Sequence, residues 1–539
     1  MSSTRERNEM ILADLIALRA ESQPDLDVLT FEHLSLDGRD TPDQVRTYAD
    51  LAENANRMAA GLLGLGIGAG DRFGIMMRNH PEFVEAMIAA STLGAVFVPI
   101  DPRTRGDRLA FLLSASGCSG LLTTDDLLEE VDRVRPAVPG LGWVRSQGLD
   151  GDASSPSVPW AEPLAALLEH AAPTVDVRTD DPEAALQIMY TSGTTGDPKG
   201  IVGSNFRFCA AALLGHLFGY GDDERPYTGL SLTHGNSQSV TLAPSLYMGL
   251  RAVYSRRFTR SRLWEVCRSY GCTTFSILGG IATALYSEPA RPDDADNPVR
   301  MVISGGMPAA LWEAFERRFG IQILEFYGAM DGGGMAWKPV GEGPIGSFGR
   351  PMPGLEMRIL DEDGVECPPG VIGEICCRPE GGEAAIEYHA DPAASEAKIR
   401  GGWNRSGDMG HADADGWLFF DFRAGGGIRR NGEFVQPGAV EKAIAEHPGV
   451  EDVFVYGVPA ASGAPGESDI VAAVVASPGT GLDPGSVFAA CREALEANFV
   501  PTYLQVVPEI PKTASEKPQE RLLRTDFSPG AANVHLDAG

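Results

Sequence analysis

Residues 190–200 read YTSGTTGDPKG: four hydroxyl side chains (Thr191, Ser192, Thr194, Thr195), three glycines (Gly193, Gly196, Gly200) and Lys199 crowd behind an apolar run. Glycine lets backbone amides wrap a polyphosphate, hydroxyls add donors without bulk, and a lysine supplies a mobile point charge to the terminal phosphates. The stretch therefore carries nucleotide-phosphate chemistry. It is not a Walker loop, since Pro198 stands five residues after Gly193 and Gly200 follows Lys199 where that motif needs Ser or Thr. A polar surface turn between two elements is the plain alternative.

Working outward, the flanking pattern is that of an α/β wind. Helix-period segments at 48–63 and 81–93 alternate with apolar strands at 72–77 and 95–100; Pro81 opens the second helix and Gly94 closes it. Residues 146–181, rich in Pro, Asp and Ala, read as connecting surface. Beyond the loop, 205–218 is helical in pattern and 227–232 is a strand leading into THGNSQS. Buried strands at 275–278 and 302–303 open into Gly279, Gly280, Gly305 and Gly306. Glycines just past a parallel strand let a ligand approach the sheet's carboxyl edge. From 346 to 378 the alternation shortens into hairpins turning near 361–364 and 368–370. Residues 421–432, DFRAGGGIRRNG, make the best boundary, because three consecutive glycines favour neither helix nor strand. A helix at 438–447 and strands at 453–458 and 470–476 follow. The expected fold is thus α/β: a large N-terminal domain (1–424) of αβ-wound sheets with a β-rich subdomain, then a small mobile α+β domain (425–539).

At 539 residues, with 43% hydrophobic and 22% charged residues, the chain can bury several cores. The formal charge of −30 excludes nucleic acid and anionic membranes as general partners. Its eight cysteines show no CxxC spacing, so neither a zinc site nor a disulfide framework is indicated, and reduced thiols in a cytoplasm fit best. No run of eighteen apolar residues predicts a membrane span, and the N-terminus lacks the pattern of a secretion signal.

The pattern YTSGTTGxPKG resembles the phosphate-binding loop of the adenylate-forming superfamily, which comprises acyl-CoA synthetases, nonribosomal peptide adenylation domains and luciferases. Residues 70–102 are similar to the N-terminal portion of acyl-CoA synthetases, and the likeness runs from about residue 45 to 525. It implies that Thr191, Ser192, Gly193, Thr194, Thr195 and Lys199 cradle pyrophosphate. EFYGAMDGGG at 325–334 resembles the family's YGxTE segment, which implies Tyr327 on adenine and Asp331, with Thr191, at magnesium; Gly305, Glu325 and Phe326 join the nucleotide-binding set. Met330 replaces the family's hydroxyl, predicting a weakened adenylate contact or a substitute donor. Asp408 in WNRSGDMG resembles the ribose-gripping aspartate. Arg423 and Arg429 match the DRxxDxIK stretch, with Phe422 at its acidic position, Asp421 one residue early and Gly425 at the hinge; Gly432 and Val435 match the residues that follow. Lys517 in PKTASEKPQERLLR resembles the catalytic lysine of PKTxSGK, with Glu516 where the glycine stands. His234 takes the position of the gate at the acyl pocket, and Thr194 counts with Lys517 and His234 as catalytic.

The resemblance implies an ATP-dependent acid–CoA ligase using ATP, Mg2+ and coenzyme A on a small-molecule carboxylic acid, similar to crotonobetaine/carnitine–CoA ligases and related medium-chain or aryl acid ligases. Two alternatives stay open: a stand-alone adenylation enzyme loading a carrier protein, or a degenerate homologue that binds nucleotide or acyl ligand without turnover, motivated by Met330, Phe422 and Glu516. RRFTRSR at 256–262 reads either as a solvated loop or, with Arg429 and Arg430, as a landing site for the phosphates of CoA. The glycines at 332–334 either leave room for a bulky acid or only let the backbone bend. A homodimer is the assembly entertained.

Overall fold

The computed structural model describes residues 5–34, 42–149, 156–169, 174–190, 198–423, 428–430, 433–435, 437–461, 468–479, 481–513 and 516–537. They form two compact units, Met1–Ser276 with Glu387–Ser395, and Ile277–Ile386 with Glu396–Gly539.

In the first unit the expected α/β wind is present. Thr47 accepts from the Asp50 amide while the Asp50 carboxylate accepts from the Thr47 amide, and this capping box starts helix Tyr48–Gly64. Helix Pro81–Leu93 begins on proline, ends at Gly94 in the left-handed region (φ 65°) and is buried on all sides, as a core helix must be when apolar residues surround its axis. These helices pack on a seven-stranded sheet ordered Glu162–Pro163, Trp143–Gln147, Gly120–Thr124, Arg72–Met76, Val96–Pro99, Ala185–Tyr190, Gly200–Ser204. Its pairs are parallel except the last, in which Tyr190 stands opposite Gly200 and so closes the ends of the phosphate loop.

Two expected elements are shorter than their patterns. The helix at 205–218 is split into Asn205–Ala210 and Leu213–Leu217, because Ala212 and Leu214 bond back three residues, to Cys209 and Ala211, and tighten the turn. The strand at 227–232 stops at Thr228 because the Asn79 amide takes over its backbone groups, donating to Leu230 O and accepting from Leu232 N.

In the second unit a mixed sheet runs Leu355–Leu360, Gly373–Pro379, Trp403–Ala412, Leu418–Arg423, Ser347–Pro351, Met335–Lys338, Gln322–Gly328, Met301–Gly305. Only the last pair is parallel; the rest is the expected β-rich part, closed over Phe348, Met357, Ile359, Ile375 and Leu418. A separate four-stranded sheet, Val450–Pro459, Ser468–Ala476, Tyr503–Val506 and Val534–Leu536, is backed by helices Pro437–Ala445 and Pro484–Ala494. All eight cysteines are free thiols, as their spacing predicts. Among the described residues no helix is long and apolar enough to cross a membrane.

Candidate active site

Thr191, Ser192, Gly193, Thr194 and Thr195 lie outside the described residues, as do Gly425, Gly432 and the Arg429 side chain. The frame around the phosphate loop is described. A Cβ at Gly200 would crowd Ile188 and the Tyr190 ring (2.7 and 3.1 Å), so this hairpin end admits only glycine. The segment Glu387–Ser395 docks on the exit strand: the His389 amide donates to Gly200 O at 2.7 Å and Tyr388 bridges Ile201. This places the Lys199 ammonium 5.3 Å from the Tyr388 ring centroid, a cation–π seat that restrains an exposed lysine.

His234 follows the shortened strand, its amide donating to Ser231 O at 3.0 Å. It stands just before a π-helical turn, Ser237–Leu242, a distortion found mostly at functional sites. In the same unit, Arg256 is buried, donates to Asn79 O at 2.7 Å and to Gln44 Oε1, and lies over Phe31. Arg262 pairs with Glu265 at 2.6 Å. In the second unit Arg430 donates to Val500 O. Arg256 is therefore committed to the core, which removes it from the landing site that RRFTRSR, with Arg429 and Arg430, was expected to offer the phosphates of CoA, while Arg262 keeps a partly exposed guanidinium.

In the second unit the residues expected at the nucleotide converge. The Tyr327 phenol donates to Asp408 Oδ2 at 2.7 Å, and its ring stacks on Phe348 with centroids 4.6 Å apart. Burial first, and then Asp408, push the Tyr327 phenol well above its ordinary pKa, so it stays a donor. Arg423 Nε lies 3.6 Å from Asp408 Oδ1. Asp408 is oriented by Ser406, whose hydroxyl accepts from its amide at 2.9 Å. Asp408 and Arg423 are also near enough to Lys517 to act on its charge: crowding by surrounding protein lowers its pKa, Arg423 adds to the fall, and Asp408 opposes it.

Glu516 answers the doubt about the turn before Lys517. It takes a left-handed backbone (φ 59°), the conformation glycine would supply, and its amide donates to Thr513 O at 2.8 Å. The turn closes with Thr513 N on Lys517 O at 2.8 Å and Lys517 N on Thr513 Oγ1 at 3.2 Å.

Gly305 ends strand Met301–Gly305, Phe326 lies within its parallel neighbour Gln322–Gly328, and the loop after Gly305 is tied to that neighbour through Glu325. The buried Glu325 carboxyl accepts from the amides of Gly306 and Met307 and so supports that loop. Burial raises its pKa to about 8. A Cβ at Gly279 would collide with Gly306 O, so the two glycine-bearing loops lie backbone to backbone.

Asp331 sits at the tip of the hairpin joining Gln322–Gly328 to Met335–Lys338. Its Oδ2 pairs with Lys398 Nζ at 2.6 Å, the two side chains 12% and 17% exposed. The glycine run is explained by backbone and packing. Gly332 and Gly334 adopt φ 74° and 117°, and a Cβ on Gly334 would strike Met357 at 2.8 Å, so the backbone bend and the packing account for these two glycines. Lys398 and Phe348 went unnoticed in the sequence, since neither belongs to a motif, and Ser406, inside WNRSGDMG, carried no role of its own there.

This donor set fits a magnesium nucleotide. Asp408 can accept from two adjacent hydroxyls, Arg423 and Lys517 are cations within reach of it, and Mg2+ typically takes one or two protein carboxylates with the phosphates, a minimum that Asp331 meets.

The model of the "AMP-binding enzyme" family matches residues 16–383, and that of the "AMP-binding enzyme C-terminal domain" matches residues 439–517. The chain belongs to the AMP-binding enzyme family. This AMP-binding enzyme is similar to a sulfoacetate–CoA ligase of Cupriavidus necator, 30% identical over 516 residues that cover 94% of this chain and 96% of the relative. It is similar also to a crotonobetaine/carnitine–CoA ligase of Salmonella choleraesuis, 28% identical over 87% of this chain and 91% of that one. Among solved structures, an o-succinylbenzoate–CoA synthetase of Bacillus subtilis in complex with ATP and magnesium superposes with a TM-score of 0.73 at 25% identity, covering 95% of this chain and 99% of that chain. The likeness to acyl-CoA ligases expected from the motifs is borne out, and the relatives span acids of several kinds, the crotonobetaine/carnitine ligase being one of them.

Proposed function

We propose that this enzyme joins a small carboxylic acid to coenzyme A in two steps: the carboxylate attacks the α-phosphate of ATP and releases pyrophosphate, then the CoA thiol attacks the acyl-adenylate and releases AMP. The observation that carries the reading is the cluster of Tyr327, Asp408, Arg423 and Lys517. Asp408 accepts from the ribose diol, Tyr327 lies along adenine and holds Asp408, and Lys517 neutralises charge that develops between carboxylate and α-phosphate. Lys199 and the hydroxyls of Thr191, Ser192, Thr194 and Thr195, with Gly193, take the departing pyrophosphate. Asp331 with Thr191 holds the magnesium, which when bound neutralises phosphate charge. Gly305 and Phe326 shape the nucleotide slot, with Glu325 supporting them, and Arg423 and Arg429 flank the boundary segment. His234 orients the acid. The first step needs no general base, because the carboxylate is already ionised, and positioning and charge neutralisation supply its rate; in the second step the thiol gives up its proton to solvent.

The reading includes a division at 424/425, so that residues 425–539 turn between the steps and carry Lys517 away from the adenylate. It extends to a cytoplasmic location, which eight unpaired thiols support, and to a homodimer, which sedimentation would test. The acceptor is tested by measuring AMP release with free CoA against release with a phosphopantetheinylated carrier protein. Release with CoA alone is expected; release only with the carrier would replace CoA as the acceptor.

A further inference from the structure

One partly buried cation beside the cluster has no part in the two steps. Lys398, the last residue of helix Pro392–Lys398, reaches Asp331 at 2.6 Å and donates also to Ser406 O at 3.3 Å. Ser406 in turn orients Asp408, and the Asn404 amide donates to Asp331 O at 2.7 Å. Strand Trp403–Ala412 thus ties the magnesium-side carboxylate and the ribose-side carboxylate into one network, and the phenol of Tyr327 lies in the field of both. Among the described residues Asp331 pairs with Lys398 and Asp408 with Arg423, so each carboxylate of the network has a cation beside it and neither turns an unopposed negative charge toward a polyanion.

We propose that Lys398 is a positioning residue of the nucleotide site, a fixed counter-ion for Asp331 that makes ATP binding depend less on a divalent cation than Asp331 alone would. The inference rests on the reading of this cluster as the ATP site. An ammonium and a metal ion compete for the same carboxylate oxygen, because each needs it at close range and like charges there repel. Asp331 has a shorter arm than glutamate, so moving away from Lys398 to meet a metal costs it the ion pair.

The test is calorimetric binding of ATP in EDTA and in excess Mg2+, which reads no turnover. The ratio of the two dissociation constants measures metal dependence. For Lys398→Met the ratio is expected to rise by about tenfold or more, the equivalent of one lost charged contact, while Lys398→Arg keeps the parent's ratio. Because removing one partner of a buried pair can unfold a chain, Asp331→Asn supplies the reciprocal arm: it releases Lys398 toward the phosphates, so metal-free ATP should bind more tightly than to the parent and the ratio should fall. A ratio unchanged in both variants, or moved in the opposite sense in either, would overturn the proposal while leaving the ATP site intact. A parent chain that binds ATP under neither condition would overturn the reading of the site as well.

Discussion

Tyr327 and Asp408, 81 residues apart in sequence, are joined by a phenol-to-carboxylate hydrogen bond of 2.7 Å. The bond makes the phenol and the carboxylate one unit within the proposed nucleotide site, since the orientation of either constrains the other. Removing the hydroxyl in Tyr327→Phe leaves the stacking on Phe348 but releases Asp408. Hydrogen bonds to charged groups contribute about 1.5–3 kcal/mol, so the Michaelis constant for ATP should rise roughly tenfold or more with a smaller change in kcat. An unchanged constant would mean that the phenol serves only the core.

Lys517, in a turn held by Thr513, is near enough to Asp408 and Arg423 for both to act on its charge. A lysine that serves one orientation of the small domain should matter to one step only. Lys517→Ala is expected to lower adenylate formation by about 100-fold or more, as loss of a preorganised charge does elsewhere, and to leave thioester formation from supplied acyl-adenylate within a few-fold of the parent. Equal losses in both steps, followed in separate single-turnover assays, would contradict that division of labour.

Glu516 pays for the glycine geometry of that turn with a left-handed backbone at φ 59°. Such a conformation costs an ordinary residue about 1–2 kcal/mol. Glu516→Gly should therefore hold or raise stability by up to about 1 kcal/mol after glycine's own chain-entropy cost, seen as a small rise in Tm. A fall in Tm would show that the Glu516 side chain holds the turn.

Glu325 is buried behind the loop at Gly306 and Met307, and burial lifts its pKa to about 8 from 4.5. The folded state therefore holds its proton more tightly than the unfolded state. Its contribution to stability is complete below pH 4.5 and is lost as pH rises through about 8. Glu325→Gln keeps an acceptor for the two amides and never ionises. Its stability relative to the parent should climb between pH 5 and pH 8.5 by a few kcal/mol at most. Chemical denaturation at the two pH values reads the difference, and parallel profiles would mean that the backbone donors, which favour the ionised form, outweigh burial.

Much of this architecture was legible before any coordinates. Pro81, Gly94 and the 3.6-residue period set the bounds of helix Pro81–Leu93, because both of its ends are decided by local chemistry. The β-rich part and the small α+β domain were legible for the same reason. The strand after Pro226 was overextended because its backbone partners come from the side chain of Asn79, about 150 residues away, which no local pattern reports. At the site, motif spacing located Tyr327, Asp408, Arg423 and Lys517. It could not locate Lys398, whose role follows from a helix end meeting a hairpin tip, nor show that Arg256 is a core guanidinium rather than a surface charge. The glycines at 332–334 illustrate the same limit: their composition permits room or bend, and the bend shows only in the left-handed φ of Gly332 and Gly334.

The central claim is that this chain activates a carboxylic acid with ATP and passes it to CoA. The most direct measurement is AMP and pyrophosphate release over a panel of short, medium, aryl and polycyclic acids, with and without CoA, for the parent and Lys199→Ala. At least one acid should give AMP, pyrophosphate and acyl-CoA in equal amounts, with acid-dependent exchange of pyrophosphate into ATP that Lys199→Ala diminishes. Silence across the panel, with Lys199→Ala indistinguishable from the parent, would contradict the account.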